Sequence, residues 1–182
     1  MIIRIATLAD APGMAQVMVD TWFAAHRGQV PDEQWQQRRE DWRYADSERS
    51  WRSLLAEIVD GSNTQECVYV AVRDEGEVVG VALGCPAELD LLPNAAEVST
   101  LYVRPPQQGQ GLGRRLVQAV AAHQAKLGRQ ALMISVLTTN APARRFYEAL
   151  GGQLIGTRET EDYGFPEPQV VYGWEGIATL AS

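Results

Sequence analysis

Apolar positions along this chain recur with two periods, and each change of period marks an expected element. Ile2 to Ala6 is a short apolar run that reads as a strand. Thr7 then stands where a helix cap is wanted, ahead of Ala11, Met14, Met18, Trp22 and Ala25, which recur at three and four. From Arg27 to Asp60 the pattern turns polar around Trp35, Trp42 and Trp51, with breaks only at Gly28 and Pro31. This predicts one or two amphipathic helices whose tryptophans face inward, because each indole has a large apolar area to bury. Cys67 to Arg73 and Glu77 to Gly84 are Val-rich and flank Asp74-Glu75-Gly76, the signature of an antiparallel hairpin.

The second half alternates more regularly. A strand is expected from about Glu97 to Val103, stopped by Pro105 and Pro106, which cannot donate to a ladder. Leu112, Leu116, Val117, Val120 and Leu127 share one face of a helix that closes at Gly128. Ala131 to Leu137 is an unbroken apolar run of the kind covered on both faces. Asn140 caps a helix through Leu150, in which the period places Phe146 in the core beside Ala143 and Leu150. Strands near Gln153–Thr157 and Gln169–Trp174 close the chain. The order predicts an α/β fold: a mixed, mostly antiparallel sheet flanked by helices.

Composition narrows the class. With 182 residues, 46% of them hydrophobic and 21% charged, the chain is long enough to bury roughly 70% of its unfolded surface in one domain spanning 1–182. Cys67 and Cys85 form no CxxC and have no histidine pair nearby, so they read as reduced thiols. Sixteen basic against 23 acidic residues give a net charge of −7, which argues against nucleic acid or an anionic membrane as partner and favours a cationic small molecule or peptide. No apolar run approaches the roughly 20 residues of a membrane span, and Met1-Ile2-Ile3-Arg4 lacks the basic start and apolar core of a signal peptide. A cytoplasmic protein is expected.

The strongest chemical signal is Val103-Arg104-Pro105-Pro106-Gln107-Gln108-Gly109-Gln110-Gly111-Leu112-Gly113, a strand end, a glycine-rich turn and a helix start. Glycines let the backbone approach a ligand, and the free amides and dipole of a helix N-terminus attract phosphate oxygens. A nucleoside-triphosphate loop would end in Gly-Lys-Ser/Thr, but Arg114-Arg115 follow Gly113. A dinucleotide fingerprint would need a third glycine where Arg114 or Leu116 stands.

Gln108-Gly109-Gln110-Gly111-Leu112-Gly113 resembles the Q/R-x-x-G-x-G/A pyrophosphate signature of the GNAT superfamily of coenzyme A-dependent N-acyltransferases. Asn140 to Gly151 resembles that family's N-x-x-A-x-x-F/Y-Y-x-x-x-G helix. The resemblance is strong over about residues 68–156, the cofactor half, and leaves 8–60 and 153–176 as walls of an acceptor pocket. It implies acetyl-CoA as co-substrate, no metal, a primary amine of a small molecule, polyamine or peptide as acceptor, and direct attack in a ternary complex. A coenzyme A-binding sensor is the alternative. A homodimer is left open.

By the same resemblance, the strand segment Leu101, Tyr102 and Val103 lies along the donor, with the amides of Leu101 and Val103 holding the acetyl carbonyl and the pantetheine arm. Amides from Gln108, Gly109, Gln110, Gly111, Leu112 and Gly113 hold the pyrophosphate, Arg114 adds a charge, and Asn140 touches the arm while capping its helix. Tyr147 is the general acid for the departing thiolate. Glu97 is the candidate base, since strand alternation places it on the face of Leu101, four residues later. Glu159, Glu161 and Asp162 read as a hairpin rim or as a hold for a cationic substrate. His26 and His123 read as packed side chains.

Overall fold

The computed structural model describes residues 1–74 and 76–180; Glu75, in the middle of the expected hairpin turn, lies outside the described residues. The elements run β1 (Ile2–Ile5), α1 (Ala11–His26), α2 (Asp32–Asp41), α3 (Tyr44–Asp60), β2 (Cys67–Val72), β3 (Val78–Pro86), β4 (Ala95–Val103), α4 (Leu112–Lys126), β5 (Ala131–Leu137), α5 (Ala141–Ala149), β6 (Gln153–Asp162), β7 (Phe165–Trp174) and α6 (Ile177–Leu180). One seven-stranded sheet has the order β1-β2-β3-β4-β5-β7-β6, antiparallel throughout except for β4 beside β5. Leu112, Leu116, Val117 and Val120 of α4 pack on one face of the sheet together with Ile177 and Leu180 of α6. On the other face, Met14 and Val17 of α1 and Trp51 and Leu55 of α3 meet Val68, Val70 and Val81. Among the described residues no helix is long and apolar enough to cross a membrane.

Several expectations shift when partners come into view. The first helix starts at Ala11 rather than directly after Thr7, because Leu8–Asp10 form a 3-10 turn. The Asp10 carboxylate there accepts from both Nη atoms of Arg4 at 2.7 Å and from the Thr7 amide at 2.7 Å. The polar stretch forms two helices. Trp51 is buried in α3 as expected, but the buried side chain of α2 is Gln34, while Trp35 and Trp42 are only half-buried. In α5 the roles of the neighbouring aromatics are exchanged: Tyr147 is buried and Phe146 half-buried. Counted from Ala143, positions three and four onward both lie on one helical face, so period alone could not choose between them.

The last hairpin is longer than expected. β6 and β7 stay paired to Asp162–Phe165, and the turn uses Tyr163 and Gly164 at φ 53° and 79°. Pro166 and Pro168 fall inside β7 although proline usually breaks a strand. The Pro168 carbonyl accepts from Thr138 at 2.9 Å, so that residue's backbone groups point away from β6, and alternation directs Pro166 the same way. Neither missing N–H therefore costs a bond to β6. The short α6 has no counterpart in the sequence reading.

Candidate functional site

The site begins where two neighbouring strands part. β4 and β5 pair only over Ala95–Glu97 with Ala131–Met133. On the other side of β4, Leu83 faces Thr100 while Gly84 faces Val98, which leaves Ser99 as an extra residue opposite β3. Such a bulge bends its strand, and here β4 leaves β5 from that point on. Arg104 N–H donates to Val79 O at 2.9 Å, so two-residue alternation turns the N–H groups of Leu101 and Val103 away from β3, toward the gap. The Gln108 side chain donates to Val103 O at 2.9 Å and ties the following loop to the strand end.

That loop forms an amide cradle. Gly109 and Gly111 adopt φ 74° and 77°, the left-handed region, and a Cβ at either position would meet nothing within 4 Å. Among the described residues the amides of Gly109 to Arg114 donate to no backbone acceptor, whereas the Gln108 amide, expected among the phosphate donors, is already committed to Pro105 O at 3.2 Å; the first bond at the start of α4 runs from Arg115 N–H to Gly111 O. Open space, free donors and a helix N-terminus together fit a phosphate group. Arg114 is exposed beside it and makes no ion pair among the described residues. The Leu112 side chain is buried, so only its amide is available.

α5 closes the gap from the α4 side. Asn140 Oδ1 accepts from Ala143 N–H at 3.2 Å and caps the helix. Phe146 packs under the cradle, its ring end 3.1 Å from where a Cβ on Gly113 would stand. Tyr147, 6% exposed, lies against Phe146 and Tyr172 with ring centroids 5.2 and 5.9 Å away. Burial, with Tyr102 nearby, pushes its hydroxyl well above the ordinary phenol range, so it stays protonated at neutral pH. Burial likewise moves Tyr102 up to about 12.

The opposite face carries a polar row. Glu97 is 5% exposed, accepts from Ser135 Oγ at 3.3 Å and lies 3.5 Å from Arg158 Nη1. The expectation that Glu97 shares a face with Leu101 fails. Ala96 and Val98 join Leu101 and Val103 in the core beneath α4, because the extra residue Ser99 inverts the alternation between them. Glu97 instead shares its face with Tyr102, whose ring packs toward α1 and the aromatic cluster of Trp22, Phe23, Trp35 and Trp42. Beyond Arg158 the row continues through Gln169, which donates to Thr160 Oγ1 at 3.0 Å, to Asp162 and Glu167 at the hairpin end.

Of the three acidic residues proposed for a cationic substrate, only Asp162 faces this row; Glu159 and Glu161 are exposed on the other side of β6. Asp162 is 3.0 Å from Arg38 Nη1, and the Arg38 guanidinium lies over Trp22 and Trp42 at 4.5 and 4.6 Å from their centroids. Gln34, Arg38, Ser135, Arg158 and Glu167 were missed from sequence. They are scattered single residues in unlike elements, with no spacing to signal them. His26 stacks on Trp22, and His123 is 3.3 Å from the Tyr69 hydroxyl, so both are packed side chains. Burial pushes the Cys67 and Cys85 thiols up to about 11, which makes each a poor nucleophile at neutral pH. Among the described residues no group of three or more metal-ligating side chains is assembled.

Comparison with known proteins places this geometry. The chain is 36% identical over 107 residues to an uncharacterized N-acetyltransferase of Schizosaccharomyces pombe, a match covering 58% of this chain and 61% of that relative's length. It is 30% identical over 119 residues to the peptidyl-lysine N-acetyltransferase YjaB of Salmonella typhimurium, covering 65% of this chain and 72% of that protein. Its fold matches the PaiA N-acetyltransferase from Thermoplasma acidophilum, solved in complex with coenzyme A, with a TM-score of 0.72 at 18% identity over 96% of this chain and 98% of that one. Residues 27–152 match the acetyltransferase (GNAT) family. Because that match runs unbroken through the bulged strand, the cradle and the α5 helix, the chain belongs to the GNAT family of acetyltransferases.

Proposed function

We propose that this protein transfers the acetyl group of acetyl-CoA to a primary amine by direct attack within a ternary complex. It is an acyltransferase, and acetyl-CoA is its co-substrate. The observation that carries this reading is the line of unpaired donors along the β4–β5 gap: the inward amides of Leu101 and Val103, then the free amides of Gly109 to Arg114. A thioester with a pyrophosphate at the far end of a flexible arm needs donors in that order. Tyr102 contributes its backbone to this strand, Arg114 adds positive charge at the pyrophosphate, and the Asn140 side chain stands at the arm.

A lysine-like amine titrates near 10.4 and must lose a proton before it can attack. Glu97, at the head of the polar row, takes that proton directly or through water. The neutral amine then forms the C–N bond to the thioester carbonyl carbon, whose oxygen is held by a β4 amide. As the C–S bond breaks, the Tyr147 hydroxyl supplies a proton to the sulfur and recovers one released by the acylated nitrogen. The net products are an amide, a thiol and one proton to solvent. No covalent acyl-enzyme is required, in keeping with the two unreactive thiols.

Calorimetric titration with acetyl-CoA, followed by thiol release against a panel of amines, tests the reading. Binding with release for one amine class is expected. Absence of acetyl-CoA binding overturns the role of the Gly109 to Arg114 amides.

A further inference from the structure

The far end of the polar row has too many acceptors and too few donors. Gln34 is 0% exposed, and its Nε2 donates to Asp162 Oδ2 at 3.0 Å and to Glu167 Oε1 at 2.8 Å. Two carboxylates on one amide fix its orientation, since the reverse would set oxygen against oxygen. The Gln34 oxygen is then left buried with no partner. Asp162 has the Arg38 guanidinium as counter-charge, but Glu167 has no ion pair among the described residues. Arg38, held between two indoles and committed to Asp162, leaves the cluster one positive charge short. Burial, together with Asp162, raises the Glu167 carboxyl above its ordinary range despite the Gln34 hydrogen bond.

We infer that Glu167 and Gln34 bind a second cationic nitrogen of the acceptor, so that the preferred substrate is a long aliphatic diamine or polyamine rather than a monoamine. This rests on the proposed acetyltransferase reading, in which the reacting amine lies at the other end of the row, beside Glu97 and Ser135. An ammonium supplies what the cluster lacks: charge for the Glu167 carboxylate and a donor for the orphaned Gln34 oxygen. Spacing sets the length. Ser135 is opposite Val171, and Glu167 is four residues further along β7, about 13 Å at a strand's rise per residue. Leu137, two residues past Ser135 on the same face of β5 and opposite Gln169, lies between the two ends, and Tyr102 packs against its cluster, so the interval is apolar.

The test compares diaminooctane, octylamine and diaminopropane as acceptors for the full chain, by thiol release and by calorimetry in the presence of coenzyme A. A KM for diaminooctane about tenfold or more below those of the other two is expected, the size of a charged hydrogen bond. Glu167→Gln should abolish that advantage, raising the diaminooctane KM about tenfold, to the level of octylamine. Because Glu167 is half-buried at a hairpin end, this variant is expected to fold, and an unchanged melting curve checks it. Gln34→Leu should weaken diaminooctane binding in the same direction. Equal KM values for diaminooctane and octylamine, or no effect of Glu167→Gln, overturn the inference and leave the acetyltransferase intact. Failure of any amine to release thiol overturns the parent reading, and calorimetric binding of diaminooctane then still decides the site. A lysine peptide that outcompetes diaminooctane and is itself sensitive to Glu167→Gln assigns the cluster to a peptide acceptor instead.

Discussion

Arg158 Nη1 lies 3.5 Å from Glu97 Oε1 while its Nη2 is 2.7 Å from Glu88, so the most buried carboxylate of the site shares its cation with an exposed one. The proposed base is thus oriented by a group that a solvent-facing partner also restrains. Glu97→Gln should lower kcat on the order of 100-fold, the range for loss of a positioned base, and leave acetyl-CoA affinity unchanged. Steady-state kinetics beside calorimetry checks this; an unaltered kcat removes Glu97 from proton transfer.

Tyr147→Phe separates chemistry from packing. The hydroxyl has no hydrogen-bond partner among the described residues, while the ring fills the core against Phe146 and Tyr172. Thermal stability should stay within about 0.5 kcal/mol of the wild type, as for a change that touches no buried polar pair. The thiol-release rate should fall by roughly 100-fold. Since burial raises this hydroxyl's pKa, the alkaline side of the wild-type rate profile should show no loss attributable to Tyr147 below about pH 10.

Gly111→Ala tests the cradle. At φ 77° an L side chain pays about 1–2 kcal/mol, and its methyl would stand in the open space offered to the phosphate. The KM for acetyl-CoA should rise, with kcat at saturation close to wild type. An equal fall in kcat with no change in KM would contradict a binding role.

Asp10 governs acid stability. Burial would raise its carboxyl, but hydrogen bonds from Arg4 and Thr7 outweigh it and hold the group below the usual carboxylate range. A depressed folded-state value contributes stability above the unfolded value of about 3.9, and that contribution is lost as pH falls through the folded value. Asp10→Asn should therefore cost about 2 kcal/mol at pH 7, with the gap to wild type closing as pH falls below about 4. Denaturant titrations at several pH values read it directly.

What could be read from the sequence was what depends on neighbours in the chain. The cradle from Gln108 to Gly113, the Asn140 cap and the strand at Ala131–Leu137 each carry their own geometry in consecutive residues. What could not be read depends on a partner strand or helix. Nothing in Glu97-Val98-Ser99-Thr100-Leu101 says which residue is the extra one; only the register with β3 does, and on that single residue turns the face Glu97 occupies. Gln34 is invisible for the same reason. A glutamine amid Glu, Arg and Trp reads as solvated until the β6–β7 hairpin end is brought against it.

The prolines of β7 have one more effect. Past the end of β5, the hairpin would otherwise expose a free strand edge, a template on which another chain could add and begin aggregation. At Pro166 and Pro168 the outward side has carbonyls but no amide hydrogens, and Thr138 already occupies one of those carbonyls. A stray strand arriving there finds no donors to pair with, so this stretch of the hairpin stays closed to other polypeptide edges.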